Sequence, residues 1–190
     1  MFSGFVVLFD ACVLYQAPLR DLVIELGLAD LYRAKWTDRI HDEWISSLIR
    51  NRPDISKEKL ERTRQLINES IEDCLVSGYE SLAQKLILPD SNDCHVLAAA
   101  IKAHAQIIVT NNVKDFPSDY LESFGIEAQH PDTFFLNQSD LKQSAFLASV
   151  KRVRLSLKRP TKTPEEYLVI LRRNELAKTA EFLEDYIDLI

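Results

Sequence analysis

The sequence predicts a three-layer α/β/α sandwich around a parallel sheet, followed by a C-terminal helical extension. Two continuous apolar runs, Phe-Val-Val-Leu-Phe at 5–9 and Gln-Ile-Ile-Val-Thr at 106–110, read as strands buried on both faces. Amphipathic helical stretches separate them, and that alternation is the signature of parallel strands with crossover helices. A third short run, Ile126-Glu127-Ala128, adds a further candidate strand.

Taken in order, the first strand ends at Asp10. From Leu19 to Ala34 the apolar positions Leu19, Leu22, Val23, Leu26 and Leu31 recur at helical spacing, interrupted at Gly27. Thr37 or Asp38 can cap a second helix carrying Ile40, Trp44, Ile45, Leu48 and Ile49, which stops before Pro53. Ser56 opens a charged helix through about Glu72, so three helices are expected after one strand. Asn92 or Asp93 opens a helix from Cys94 to His104. A helix entered at Asp132 to Leu136 continues from Asp140 to about Val150. Thr163-Pro164-Glu165-Glu166 has threonine at the cap, proline at the first helical position and glutamate three residues after the cap, a complete helix-start signal. Beyond it Leu176, Ala180, Leu183, Ile187 and Ile190 trace an apolar stripe expected to be core or a dimer seam.

Composition narrows the function. With 190 residues, 46% hydrophobic and 27% charged, the chain falls in the folded, globular range. Its four glycines, at 4, 27, 78 and 125, are too far apart to write a dinucleotide-binding or phosphate-binding glycine loop. Three scattered cysteines make no zinc pattern and point to a reduced compartment. The apolar run from Phe2 to Phe9 lacks a basic flank and is too short for a signal peptide, and no stretch reaches the roughly 18–20 apolar residues of a membrane span. A cytoplasmic protein without membrane contact is expected. The formal charge of −6 conceals an asymmetry: residues 1–140 carry −9 and residues 141–190 carry +3. Between 142 and 162 there are seven basic residues and no acid. A solvated helix face is the bland reading of such a run, and contact with a phosphate backbone is the sharp one.

Four acids fall beside strand ends or helix starts in separate parts of the chain: Asp10, Glu43, Asp93 and Asp115. In a parallel sheet all strands end on one side, so acids after different strands can converge there. Glu43 joins them only if its helix crosses that edge. Close carboxylates raise one another's pKa unless a counter-charge intervenes, and hard oxygen donors without thiolate favour Mg²⁺ or Mn²⁺ over zinc. Metal-assisted phosphodiester hydrolysis follows as the expected chemistry. An aspartate-nucleophile phosphatase would need a second aspartate two residues after the first, where Cys12 stands. His41, His95, His104 and His130 show no metal-binding spacing and are expected to be satisfied or exposed, and Cys12 and Cys94 to be small apolar packers.

Asp10 closing the first strand, His41-Asp42-Glu43-Trp44 followed by Arg50-Asn51-Arg52-Pro53, the stretch from Leu88-Pro89-Asp90-Ser91-Asn92-Asp93-Cys94-His95 to Ala100, and Val109-Thr110-Asn111-Asn112-Val113-Lys114-Asp115-Phe116-Pro117 together resemble the PIN-domain ribonucleases, and among them the VapC-type toxins of bacterial toxin–antitoxin modules. The resemblance covers about residues 5–135. It implies a PIN-like nuclease domain over 1–135, a helical extension over 136–190 and Mg²⁺- or Mn²⁺-dependent endoribonuclease activity on RNA. It also implies an antitoxin held as a separate chain. Position by position, Asp10, Glu43, Asp93 and Asp115 match the metal-binding acids. Asp90 is an extra acid at the rim, and Thr110 and Asn112 match the polar residues beside the fourth acid. Where some members carry an acid two residues after the threonine, this chain has Asn112, which can position water but brings no charge. Arg152, Arg154, Lys158 and Arg159 are the candidates for the RNA backbone or an acidic partner segment. A homodimer joined through apolar helix faces is the expected assembly. The competing expectation is a catalytically inactive domain of this fold that acts by binding protein or RNA.

Overall fold

The computed structural model describes residues 4–190; the start of the N-terminal apolar run, Met1–Ser3, lies outside the described residues. Four parallel strands, β1 (Val6–Phe9), β2 (Arg33–Lys35), β3 (Ile107–Val109) and β4 (Glu127–Gln129), form one sheet in the order β2-β1-β3-β4. Val7 pairs with Ala34 and Ile107, and Ile108 with Ala128. The central pair is apolar because both of its faces are covered: Val7, Leu8, Phe9, Ile108 and Val109 are fully buried.

Helices α1 (Ala11–Tyr15) and α2 (Ala17–Leu28) follow β1, and α2 packs beside β2. The chain then reverses its direction across the sheet. It passes through α3 (Asp38–Asn51), α4 (Lys57–Ser70), α5 (Glu80–Ala83) and α6 (Cys94–Lys102) before reaching β3. Right-handed crossovers in opposite directions put α2 and α6 on opposite faces, which gives the three layers. A short helix α7 (Ser118–Glu122) leads to β4, and α8 (Pro131–Leu141), α9 (Gln143–Ser156), α10 (Pro164–Arg173) and α11 (Ala177–Glu184) complete the chain. None of the described helices is long and apolar enough to cross a membrane.

The sandwich and the helical extension stand as expected, whereas several element bounds differ. The helix read from Leu19 toward Ala34 stops at Leu28, and β2 begins within the same window. The stop is a Schellman turn, with Asp30 at φ 56°, its N–H on Gly27 O and the Leu31 N–H on Leu26 O. Leu31 matches the helical spacing only by coincidence. The charged helix ends at Ser70 rather than near Glu72, and the last strand lies one residue further on, at Glu127–Gln129. The caps agree: Thr37 and Ser56 accept from the Ile40 and Lys59 N–H groups, and Thr163 and Glu166 form a reciprocal capping box.

The extension shares its core with the sheet layers. α9 packs on α2, α11 on α8, and Phe134 stacks edge-on against Phe9 and at a tilt against Tyr32. Residue 135, where the expected division falls, lies inside α8. The stripe of Leu176, Ala180, Leu183 and Ile190 is buried within this core.

A buried polar network joins α3 to α4. Trp44 Nε1 donates to His41 Nδ1 (2.9 Å), so His41 Nε2 carries the proton and donates to Asn68 Oδ1 (2.9 Å), which also accepts from Trp36 Nε1 (2.8 Å). Burial, opposed in part by Asn68, pushes the His41 imidazole down to about 4 from the ordinary 6.5. The unfolded chain therefore takes up a proton below pH 6.5 that the folded chain refuses until about pH 4. The contribution of His41 to stability is whole above 6.5, falls by up to about 3 kcal/mol between those limits, and changes no further below them. In denaturant titrations across this window the wild type should lose more stability than His41→Gln, which has no proton to take up. Equal slopes would mean that the imidazole is not held neutral.

Candidate active site

At the C-terminal end of β1, Asp10 continues the pairing with β3 through its N–H on Val109 O (3.0 Å), and its side chain is 5% exposed. Oδ1 accepts the Ala11 N–H (2.6 Å), capping α1. Oδ2 accepts the Thr110 hydroxyl (2.7 Å) and the Cys12 thiol (3.2 Å). Thr110, fully buried one residue past β3, also receives the Asn112 N–H at Oγ1 (3.1 Å), and Cys12 Sγ receives the Asn111 N–H (3.2 Å). The two central strand ends are thereby tied together through one carboxylate. Burial, then the Asp10 charge, pushes the Cys12 thiol up to about 12, so it stays protonated as a donor to Asp10 and is no nucleophile. The apolar packing expected of Cys12 misses this role.

Asp93 closes a single 3₁₀ turn, Ser91–Asp93, immediately before α6. Its side chain makes no capping bond; the turn is capped by exposed Asp90, which accepts the Asn92 N–H (2.8 Å). Burial, followed by the charges of Asp10, Asp90 and Asp115, pushes the Asp93 carboxyl up to about 6, against a smaller opposing pull from His95. Asp115 ends another 3₁₀ turn, Val113–Asp115, after β3. Asp10, Asp90 and Asp115 thus lie within electrostatic reach of Asp93. Among the described residues neither Asp10, Asp93 nor Asp115 pairs with a lysine or arginine.

Glu43 arrives from α3, which packs on α1. Its Oε1 meets His95 Nε2 (3.0 Å) and Arg39 Nε (3.0 Å). Burial pushes this carboxyl up, but His95 and Arg39 together outweigh it and hold the group below its ordinary range. Beside Glu43 lies a cleft of about 470 Å³ lined also by Arg39, Asp42, Ser46, Ser47, Ile49 and Arg50. Asp10, Asp90, Asp93 and Asp115 are therefore grouped electrostatically, and Glu43 is in ion-pair contact with His95 of the helix that follows Asp93. No set of three or more His, Cys, Asp or Glu side chains among the described residues is gathered closely enough to hold an ion.

The basic residues are distributed differently from a free arm. Arg152 bonds Glu25 of α2 and donates to Ser149 Oγ (2.9 Å), and Arg154 donates to Lys162 O (2.7 Å). Lys158 and Arg159 are exposed in the turn after α9, and Asn112 is exposed beside Thr110. Residue patterns alone passed over His95 and Arg39. The signal for Arg39 was its i,i+4 spacing from Glu43; for His95 it was a position inside the fully apolar run of α6.

The PIN domain family matches residues 6–114, and the VapC50 C-terminal domain matches residues 131–185. Over 58 residues the chain is 50% identical to a protein of Mycobacterium tuberculosis (strain ATCC 25618 / H37Rv) named "Putative ribonuclease VapC50". That stretch is 30% of this chain and 34% of the relative, so the match spans about a third of the relative's length. No solved structure matches. With more than half of its length matched and a parallel α/β sandwich of the expected kind, the chain belongs to the PIN-domain family.

Proposed function

We propose that this protein is a divalent-metal-dependent endoribonuclease and the toxin of a type II toxin–antitoxin pair, with Asp10, Glu43, Asp93 and Asp115 as its metal-holding acids. The observation that carries the reading is the unneutralised group of carboxylates around Asp93, where the folded chain spends stability on keeping like charges close. The donors are hard oxygens, and the nearby thiol stays protonated, so the set fits Mg²⁺ or Mn²⁺. A divalent ion held there supplies the Lewis acidity that phosphodiester hydrolysis needs.

The remaining work belongs to the chain itself. Thr110 and Cys12 fix the Asp10 carboxylate through Oδ2, and Oδ1, which accepts only the Ala11 N–H, keeps an unused lone pair. Asn112, exposed at the rim, is suited to orienting a water, and Asp90 adds charge at the mouth. Arg50, in the cleft beside Glu43, offers a cation for a flanking phosphate, and exposed Lys158 and Arg159 are freer for RNA than Arg152 and Arg154. An antitoxin chain and a second copy of this chain are the protein partners of this reading, and the cytoplasm its location.

One observation favours the catalytically inactive alternative: among the described residues no three His, Cys, Asp or Glu side chains stand close enough together to hold an ion. Purified protein incubated with single-stranded RNA separates the two. Cleavage that requires Mg²⁺ or Mn²⁺ and disappears with EDTA supports the nuclease. RNA retained uncut at every metal concentration overturns it. Sequencing of RNA 5′ ends after induction in cells then identifies the target.

A further inference from the structure

We propose that the free edge of β4 is a docking site for an extended, basic segment of a partner protein, which joins the sheet as an added strand; this does not depend on the metal-site reading above. β4 ends the sheet and has β3 on one side only. The Glu127 N–H is given to Gln106 O, and the Gln129 carbonyl accepts the Thr110 N–H, so both residues turn their backbone groups toward β3. Ala128, between them, turns its N–H and C=O the other way, and neither has a partner among the described residues. The Ile126 N–H, on the same outer side, is taken by Leu121 O, which centres the opening on Ala128.

Space and charge decide what fits. Beside β4 lies a cleft of about 720 Å³ whose walls include apolar Phe116, Ile126 and Ala128. Its charged residues are all exposed, and they are three acids, Asp119, Glu122 and Glu127, against one cation, Lys114. That balance repels a phosphate backbone and attracts lysine or arginine. It also opposes a second copy of this chain paired edge to edge about a two-fold axis, which would bring two Glu127 carboxylates to one seam. An antiparallel strand suits so short an opening, because the one residue opposite Ala128 exchanges both backbone bonds with it. That residue shares the face of Ala128, while its neighbours lie on the face of Glu127. The segment that fits therefore alternates apolar residues with lysine or arginine, and its main chain supplies much of the affinity.

The test is fluorescence anisotropy of the 190-residue chain with an end-labelled short peptide of alternating valine and lysine. Wild type should bind it, and should bind the same peptide with glutamate in place of lysine about 10-fold or more weakly at low salt. N-methylation of the valines, whose N–H groups face the edge, should abolish binding, whereas N-methylation of the lysines, whose N–H groups face away, should leave it within a few-fold. Ala128→Pro removes the outward N–H without touching the ladder to β3, so it should melt with the wild type and lose about 10-fold or more in affinity. Glu127→Lys, at an exposed position, should also weaken binding, by a margin that shrinks as salt is added. If Ala128→Pro melts early, the two methylated peptides on wild type carry the decision. Equal affinities for those peptides, or wild-type affinity in a folded Ala128→Pro, overturn the added strand. No binding of the valine–lysine peptide up to about 1 mM overturns the site. A dimer in sedimentation that Ala128→Pro dissolves gives the edge to a second copy and overturns the proposal as well.

Discussion

Asp93→Asn should abolish RNA cleavage, lowering the rate about 10³-fold or more, and should at the same time raise the melting temperature of the metal-free protein. The two effects share one cause. The Asp93 carboxyl, pushed up to about 6 by burial and by Asp10, Asp90 and Asp115, resists ionisation in the folded chain and not in the unfolded one. Its contribution therefore turns unfavourable as pH rises from about 4 to 6 and stays so above. Asparagine removes that repulsion, and no capping bond is lost, because the side chain makes none. With solvent screening at this half-open position, the gain is about 1 kcal/mol, or roughly 2–4 °C for a chain of this size. Scanning calorimetry in EDTA at pH 7.5 and a Mg²⁺-supplemented cleavage assay read the two effects. Asp10→Asn is the less clean variant, since the Thr110, Cys12 and Ala11 donors all depend on that carboxylate. A normal cleavage rate for Asp93→Asn would remove Asp93 from the machinery, and a lowered melting point would mean that its charge is structural.

The parts of the fold that could be read from residues are those whose signal is local. β1 and β3 are legible because strands buried on both faces need unbroken apolar runs, and the Thr163–Glu166 start because both halves of a capping box lie in four residues. β2 was hidden for the opposite reason: Arg33-Ala34-Lys35 is a three-residue edge strand whose pairing is made by β1, not by its own composition. The site divides in the same way. Asp10 and Asp115 are marked by the strands they follow, but the contact between Glu43 of α3 and His95 of α6 joins residues 52 positions apart, which no local spacing encodes. The basic run after Lys142 reads as uncompensated because its counter-charges are remote in sequence. Glu25, the partner of Arg152, is 127 residues away.

Asp132→Ala should cost about 3 kcal/mol and lower the melting temperature by about 10 °C, the largest stability effect expected outside the apolar core. The side chain is 7% exposed and is filled by donors from another helix. Oδ2 accepts the Lys178 N–H (2.9 Å), and Oδ1 accepts both the Thr179 N–H (2.8 Å) and the Thr179 hydroxyl (2.8 Å). Lys178 and Thr179 are the second and third residues of α11, whose N–H groups an ordinary cap residue would satisfy. The residue in the cap position is Leu176, which has no acceptor, so a carboxylate from α8 does this work across the interface. The positive end of the α11 dipole adds to the attraction. Alanine orphans both backbone donors at once and leaves the Thr179 hydroxyl only its longer bond to the Asp132 carbonyl (3.2 Å). Asp132→Asn keeps one acceptor and turns an amide NH₂ toward the other donor, so it should fall between alanine and wild type, while Thr179→Val, which removes only the hydroxyl, should cost about 1 kcal/mol. Chemical denaturation of the three variants should reproduce that order. If Asp132→Ala melted within a degree of wild type, the N-terminus of α11 would have to be satisfied by water, and α11 would not depend on α8 for its start.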